Sequence, residues 1–421
     1  MLKGTHAMVE SNDQIERARE AVITTIDCER DALVSLSKEI HANPEIAMEE
    51  FRASAACAAY LEGQGFAVEK PIAGLETAFQ AVAGGRPGPS VAFLSEYDAL
   101  PGLGHGCGHN LIAIAGIGAG IGLKAALEIL DGTVTVFGTP AEEAVGGKAF
   151  MSEAGLFTGF DAAMGAHPGT IEAVVPTVEG SGQALACQGI RIEFRGQAAH
   201  AAADPYNGVN ALNALIEVFN GINALRQHVR RDARIHGIIT DGGAAPNVVP
   251  DFAAGDFLIR AQTMAYMFEL VEKVRKISEG AALITGAELS FIFSEKPSFD
   301  MITNHPLARR IKVHLDGLGL QMPEARAEEG SGSTDWGNVS YEVPSVETSY
   351  PIINRVCTWH SQEVVEASDS ALGYSNTIAV AKGLALAGID VLTDSDLRAE
   401  IRRSFEVARA ERGAPLAAAA D

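Results

Sequence analysis

Apolar residues recur at helical spacing in some parts of the chain and form short continuous runs in others. Residues 13–42 and 49–62 carry apolar side chains every three or four positions, which predicts a long or broken amphipathic helix followed by a second helix. Residues 91–94 and 133–137 are short apolar runs typical of buried strands. This alternation of helix and strand predicts a mostly parallel α/β sheet covered by helices on both faces.

The pattern changes after a glycine-rich stretch near residue 180. Residues 190–195 alternate apolar and polar side chains, as a half-buried strand does. The segments that follow predict helix, strand, strand, helix and strand at residues 207–225, 234–240, 252–261, 264–280 and 288–293. This βαββαβ order is typical of a ferredoxin-like α+β domain.

The chain is long enough for two domains, since 421 residues exceed the size at which a single core usually stops growing. Helical and short-strand patterns resume after the ferredoxin-like segment. We therefore predict that residues 183–296 form an inserted domain. Residues 1–182 and 297–421 are predicted to be the two parts of the α/β domain.

Charge and cysteine content limit the partners and the compartment. The formal net charge of −22 argues against a nucleic-acid or anionic-membrane surface, because either would need clustered lysine and arginine. The five cysteines are scattered and odd in number, which argues against a disulfide framework and favours a reducing compartment. The most apolar stretch is interrupted by Lys124 and Glu128, and the first residues lack the apolar core of a secretory signal. We therefore expect a cytoplasmic protein without a nucleic-acid or membrane partner.

A thiol and two imidazoles lie close together in the segment His105–Asn110. Zn²⁺ accepts sulfur and nitrogen ligands, and the glycines of this segment let the backbone approach a ligand closely. The alternative interpretation is a glycine-rich turn that enters a helix, with a buried thiol beside histidines that have no role.

Polar side chains also follow three predicted strands. Asp98 follows the first, Glu142 and Glu143 follow the second, and His167 follows the third. Ligands bind at the carboxyl ends of strands in open α/β sheets, so these residues and the Cys107 turn are predicted to converge on a metal site. By itself, the glutamate pair is equally typical of a helix N-terminus, where acidic side chains are stabilised by the helix dipole.

These motifs occur in the order found in a known family. They comprise residues 96–101, 105–110, 138–143, 166–168, 194–202, 208–211, 236–239, 246–250, 332–340 and 359–361. In this order they resemble the M20 family of metallopeptidases and amidohydrolases. Within it they are most similar to subfamily D, the group that includes peptidase M20 domain-containing protein 2 and aminobenzoyl-glutamate hydrolases. The resemblance covers nearly the whole chain.

The resemblance implies roles for residues of the α/β domain. Glu142 would be the general base, and Asp98 would orient a ligand histidine. The implied metal ligands are Cys107, His109, Glu143, His167 and His360. Many members have a histidine where this chain has Glu96, so Glu96 is not assigned as a ligand. One or two divalent ions are expected, with Zn²⁺ or Mn²⁺ favoured and Co²⁺ also conceivable.

The inserted domain carries the remaining candidates. His200 would stabilise the oxyanion formed from the scissile carbonyl, reaching the active site of the partner in a homodimer. Asn247 would bind the substrate carbonyl and Arg260 a substrate carboxylate. Gly332, Ser333 and Thr334 would donate hydrogen bonds to the carboxylate end of the substrate. Without the resemblance, a surface histidine, a salt-bridged strand arginine and a plain glycine-rich loop would explain these residues.

The expected function is metal-dependent hydrolysis of the amide bond in a small N-acyl amino acid, aryl amide or dipeptide-like substrate. One alternative is a dipeptidase that acts on β-alanyl or basic dipeptides, which would use the same residues. An alternative of another class is a non-catalytic metal-binding scaffold, against which the presence of Glu142 argues. A homodimer that forms through the inserted domain is expected.

Overall fold

A computed structural model describes residues 2–327 and 332–413, which form two compact units. The first unit contains the described residues of Met1–Gln183, Met301–Glu328 and Asn338–Glu411. The second contains Ala184–Asp300 and the described residues of Glu329–Gly337 and Arg412–Asp421.

The helices and strands are numbered along the chain. The helices are α1 (Leu2–Cys28), α2 (Arg30–Ala42), α3 (Phe51–Gly63), α4 (His109–Ala126), α5 (Gly147–Glu153), α6 (Ala211–Leu225), α7 (Met264–Thr285), α8 (His305–Gly317), α9 (Trp336–Glu342), α10 (Gln362–Ala367), α11 (Ala371–Thr393) and α12 (Ser395–Arg412). The strands are β1 (Ala67–Glu69), β2 (Phe79–Arg86), β3 (Ser90–Ser95), β4 (Gly132–Gly138), β5 (Ala162–Gly169), β6 (Ala186–Arg195), β7 (Arg234–Asp241), β8 (Phe252–Ala261), β9 (Glu288–Phe293) and β10 (Ser345–Pro351).

The first unit is built on a six-stranded sheet in the order β1-β2-β4-β3-β5-β10. Strands β4, β3, β5 and β10 are parallel, as predicted, whereas β1 and β2 form an antiparallel edge. This edge was not predicted, because β2 is rich in glycine and alanine and lacks the apolar run of a buried strand. The carboxyl ends of the parallel strands meet at one side of the sheet.

Two apolar helices, α4 and α11, pack in the core of the first unit. They are long and apolar enough to cross a bilayer, but 89% and 78% of their most apolar windows are buried, as in core helices of globular proteins. Helix α4 lies directly against the end of β3 because residue 116 is glycine. A Cβ there would lie 2.5 Å from the carbonyl oxygen of Leu94.

The second unit has a four-stranded antiparallel sheet in the order β7-β8-β6-β9. Helices α6 and α7 pack against it and each other, which confirms the predicted ferredoxin-like arrangement. The second unit also takes in residues that were predicted to belong to the α/β domain. The reason is that the N–H of Leu185 donates to the carbonyl of Gly332 at 2.7 Å, and Arg412 pairs with Asp300 at 3.0 Å.

Candidate metal centre

Predicted site residues of the first unit converge at the carboxyl ends of its parallel strands. Asp98 follows β3, Glu142 and Glu143 follow β4, and His167 lies on β5. His109 is the first residue of α4, and Gly108 before it has φ +80°, which favours glycine. Residues that are far apart in the chain meet here because β3, β4 and β5 are neighbours in the sheet.

Three overlapping groups of side chains have their ligand atoms within 4.8 Å of one another. The groups are Cys107, His109 and His167; Cys107, Glu143 and His360; and His109, Glu142 and Glu143. These six residues are called the metal centre below. They include every side chain that the sequence analysis assigned to metal binding, together with the predicted general base.

The distances within the metal centre suit a shared ion. The sulfur of Cys107 lies 3.3 Å from Nε2 of His167, and Oε1 of Glu143 lies 3.4 Å from Nε2 of His360. His360 has φ +57°, a left-handed conformation that costs a non-glycine residue about 1–2 kcal/mol. Such strain persists where the surroundings hold a residue in place, and it often occurs at functional sites.

Hydrogen bonds outside the metal centre orient its histidines. Nδ1–H of His109 donates to Oδ1 of Asp98 at 2.8 Å, and Nδ1–H of His167 donates to the carbonyl of Pro168 at 2.7 Å. In both rings the lone pair is therefore on Nε2, the nitrogen that faces the metal centre. Oδ2 of Asp98 also accepts the backbone N–H of Glu143 at 2.9 Å, so one buried carboxylate holds two residues of the centre.

The cluster has unusual proton affinities. Burial alone would raise the pKa of the Cys107 thiol, but the adjacent rings of His167 and His109 lower it well below its usual range. Burial opposes protonation of His167, yet the Cys107 sulfur raises the pKa of this ring to about 10. Burial, followed by the charge on Cys107, raises the pKa of Glu143 to about 7. The arrangement favours a thiolate, the form of cysteine that binds metals.

Two buried atoms test whether the residues fit a metal ion. Nε2 of His109 and Oε1 of Glu143 have no hydrogen-bond partner among the described residues, and they lie 3.7 Å apart. Buried polar atoms are normally satisfied, and a cation between these atoms would satisfy both. The donor set of one sulfur, three imidazole nitrogens and carboxylate oxygens suits Zn²⁺. The residues therefore fit a divalent metal.

The sequence analysis missed two neighbours of the metal centre. The side chain of Lys148 is fully buried, and its Nζ pairs with Oε1 of Glu96 at 2.8 Å. This pairing gives Glu96 a partner other than a metal. The indole N–H of Trp359 donates to the sulfur of Cys107 at 3.3 Å. No sequence pattern pointed to Lys148, whereas Trp359 is adjacent to His360 in a motif that was noted.

The candidates of the second unit form two separate contacts. The N–H of Ala201 donates to the carbonyl of Asn247 at 3.0 Å, which brings His200 beside Asn247 on the surface. Nδ1 of His200 accepts the N–H groups of Ala202 and Ala203, both at 3.2 Å. The ring proton is therefore on the exposed Nε2, which suits a hydrogen-bond donor.

Arg260 and the predicted substrate-binding loop also meet in the second unit. The guanidinium of Arg260 donates to the hydroxyl of Ser333 at 3.0 Å. Gly332 is engaged through its carbonyl, and the hydroxyl of Thr334 accepts the N–H of Trp336 at 3.3 Å at the start of α9. Of the three loop residues, Ser333 is thus the one that contacts Arg260.

Comparisons with known proteins agree with this site. The profile of the peptidase dimerisation domain family matches residues 187–284, which lie in the second unit. The chain is 36% identical to the Xaa-Arg dipeptidase of Mus musculus over 93% of both proteins. It is 29% identical to one of the polypeptides of the p-aminobenzoyl-glutamate hydrolase of Escherichia coli, over 90% of this chain and 93% of the relative. A dinuclear metal-binding peptidase of Bacillus subtilis has a similar fold, with a TM-score of 0.59 and 21% identity over 84% of this chain and 98% of that chain.

Proposed function

Since the chain belongs to the M20 family of metallopeptidases and amidohydrolases, we propose that its metal centre cleaves dipeptides with a basic C-terminal residue. The chain is a hydrolase of amide bonds, like its named relatives. The convergence of Cys107, His109 and His167 with the adjacent glutamates carries the assignment of the reaction to this centre. The 36% identity to an Xaa-Arg dipeptidase supports the substrate class.

Charge supports the same choice. The protein carries a net charge of −22, so its long-range field attracts cations. A dipeptide that ends in arginine has a net positive charge at neutral pH. The second candidate is an N-acyl glutamate such as p-aminobenzoyl-glutamate, which the similarity to the E. coli hydrolase favours. This candidate is an anion, and its attraction would depend on local groups such as Arg260.

The residues of the metal centre divide the work of amide hydrolysis. A divalent ion supplies a Lewis acid that makes water acidic enough to attack near neutral pH. Glu142 accepts a proton from the attacking water and delivers it to the amide nitrogen as the C–N bond breaks. Asp98 keeps the lone pair of His109 directed into the centre. The proton released by water therefore leaves with the amine product.

The number of ions is also proposed. The three ligand groups share Cys107, His109 and Glu143, which is enough for two ions with shared ligands. We propose two ions per subunit, with Zn²⁺ preferred because a thiolate is among the ligands and Mn²⁺ as the alternative. Elemental analysis of the purified protein measures both the number and the identity.

A homodimer is proposed to form through the second unit. Strand β7 is an edge strand, and Ile238 and Ile239 on it are 65% and 44% exposed. They line an apolar groove of about 340 Å³ together with Ile216 of α6. An apolar sheet edge of this kind is suited to pairing with a second copy about a two-fold axis. We propose that His200 of the partner subunit donates its Nε2–H to the developing oxyanion.

A panel of substrates tests the proposed function. We expect the metal-loaded protein to hydrolyse Ala-Arg and Ala-Lys at least about tenfold more efficiently than Ala-Leu or p-aminobenzoyl-glutamate, as measured by mass spectrometry. The matched control is Glu142→Gln, which should remove turnover of every substrate. Faster cleavage of p-aminobenzoyl-glutamate would favour the second candidate. Binding without turnover of any amide would favour the scaffold interpretation.

A further inference from the structure

A buried glutamate behind the metal centre makes hydrogen bonds that its own helix does not require. Glu50 precedes α3 at the N-cap position, and its side chain makes no capping hydrogen bond. The carboxylate of Glu45 accepts the N–H groups of Arg52 and Ala53 instead. Glu50 itself is 0% exposed, so its carboxylate points into the protein. Burial of a carboxylate is unfavourable unless it is well hydrogen-bonded, so the donors that it meets are informative.

The donors to Glu50 come from three separate segments. Oε1 accepts the N–H of Ala141 at 2.9 Å and the N–H of Met48 at 3.1 Å. Oε2 accepts the hydroxyl of Thr77 at 3.0 Å. Ala141 is the residue immediately before Glu142 and Glu143. Glu50 is thereby tied to the backbone from which the predicted general base and a predicted metal ligand project.

The backbone at Ala141 needs such support. Ala141 is buried and has φ +60°, the left-handed region that an L-residue with a Cβ avoids for steric reasons. Its carbonyl accepts the N–H of Gly146 at 2.9 Å, and the N–H of Glu143 donates to Asp98 at 2.9 Å. Hydrogen bonds to Glu50 and Asp98 therefore hold the loop on either side of Glu142.

We propose that Glu50 is a positioning residue, which holds Ala141 in the left-handed conformation and thereby sets the directions of Glu142 and Glu143. The inference rests on the proposed function, because it assumes that the glutamate pair performs the reaction. If the hydrogen bond to Ala141 is lost, the backbone relaxes toward a favoured conformation and the two glutamates turn away from the centre. Displacements of about 1 Å can reduce turnover about 100-fold.

Two substitutions separate side-chain length from charge. Glu50→Gln keeps the length and an acceptor oxygen within reach of Ala141, but it removes the charge. Glu50→Asp keeps the charge, but it withdraws the oxygens from Ala141 by about one C–C bond length, roughly 1.5 Å. We expect Glu50→Gln to retain kcat within about threefold of the wild type. Glu50→Asp should lower kcat about 10- to 100-fold and weaken metal binding to a similar extent, with KM within about twofold.

A rescue variant and a matched control complete the test. Ala141→Gly adopts φ +60° without steric cost, so it should restore at least about fivefold of kcat in the Glu50→Asp background and change the wild type by less than about twofold. Glu45→Gln perturbs the other glutamate that accepts two backbone N–H groups. It should lower the melting temperature and leave kcat and metal affinity unchanged.

The order of the two Glu50 variants decides the proposal. If Glu50→Asp is more active than Glu50→Gln, charge matters more than position and the proposal is wrong. The same conclusion follows if kcat and metal affinity of Glu50→Asp equal those of the wild type, or if Ala141→Gly restores nothing. Metal affinity is measured by competition with a chromophoric chelator and requires no substrate. A wild type that binds metal but cleaves no amide would therefore refute the proposed function separately.

Discussion

The hydrogen bonds of Asp98 lead to a quantitative prediction for metal affinity. Asp98→Asn keeps the size of the side chain but replaces one acceptor oxygen with an NH₂ group. If the amide nitrogen faces His109, the ring must carry its proton on Nε2, the atom that faces the metal centre. If the amide nitrogen faces Glu143 instead, it opposes the backbone N–H at a distance of 2.9 Å. Either orientation loses one charge-assisted hydrogen bond.

The size of the effect follows from that loss. A hydrogen bond to a charged group contributes about 1.5–3 kcal/mol to stability. Since about 1.4 kcal/mol corresponds to a tenfold change in an equilibrium constant, we expect Asp98→Asn to weaken metal binding about 10- to 100-fold. Competition with a chromophoric chelator after dialysis measures this affinity. The melting temperature of the metal-free protein, measured in parallel, shows how much of the effect is general destabilisation.

A second aspartate–histidine pair in the same unit provides the control. Oδ2 of Asp390 lies 2.8 Å from Nε2 of His314, the same separation as in the Asp98–His109 pair, and Oδ1 accepts from Arg19 at 3.0 Å. Asp390→Asn should destabilise the fold but leave metal affinity within about twofold of the wild type. Unchanged metal affinity in Asp98→Asn, or an equal loss in both variants, would refute this account of Asp98.

Four further predictions concern other groups. Glu142→Gln should retain the metal content of the wild type and lower kcat by about 10²–10⁴-fold, because it removes a proton acceptor rather than a predicted ligand; metal loss would mean that Glu142 is a ligand. Cys107 should be protected from alkylation in the metal-loaded protein and react after chelation, whereas labelling of the exposed Cys28 should not depend on metal; peptide mapping distinguishes them. His200→Ala and Glu142→Ala, each inactive alone, should recover roughly a quarter of wild-type activity after subunit exchange, because about half the dimers then contain one intact site; proven exchange without recovery would exclude action across the dimer. Burial would raise the pKa of Asp390, but its histidine and arginine partners lower it below its unfolded value, so this pair stabilises the fold above about pH 3.9 and the stabilisation is lost as the pH falls through the folded pKa; the stability deficit of Asp390→Asn should therefore be largest near neutral pH and disappear in acid, as measured by thermal melts.

The sequence was informative where the determining interactions are local. Helical spacing predicted one long or broken helix at residues 13–42, and the structure has α1 and α2 with a break at Glu29. The alternation of β6 predicted a strand with one buried face, which the structure confirms. Helix α6 was predicted to begin at residue 207 but begins at Ala211, where Asn210 caps the first turn by accepting the N–H of Asn213.

The candidate ligands were also accessible from the sequence. Each follows a strand or begins a helix, and parallel strands bring such ends to one side of a sheet. The motif order then identified which of several polar residues belong together. Chain order was therefore sufficient for the family, the two kinds of sheet and the membership of the metal centre.

Tertiary structure alone decided which buried groups are partners across the chain. Trp359 donates to a sulfur 252 positions away, and Glu50 accepts from Ala141, 91 positions away. The pairing of Lys148 with Glu96 and the inclusion of residues 332–337 in the second unit depend in the same way on how loops close around the sheet. These contacts leave no periodic signature, because each involves one side chain at one position. A hydrogen bond depends on distances of a few tenths of an ångström, and only the folded backbone determines those distances.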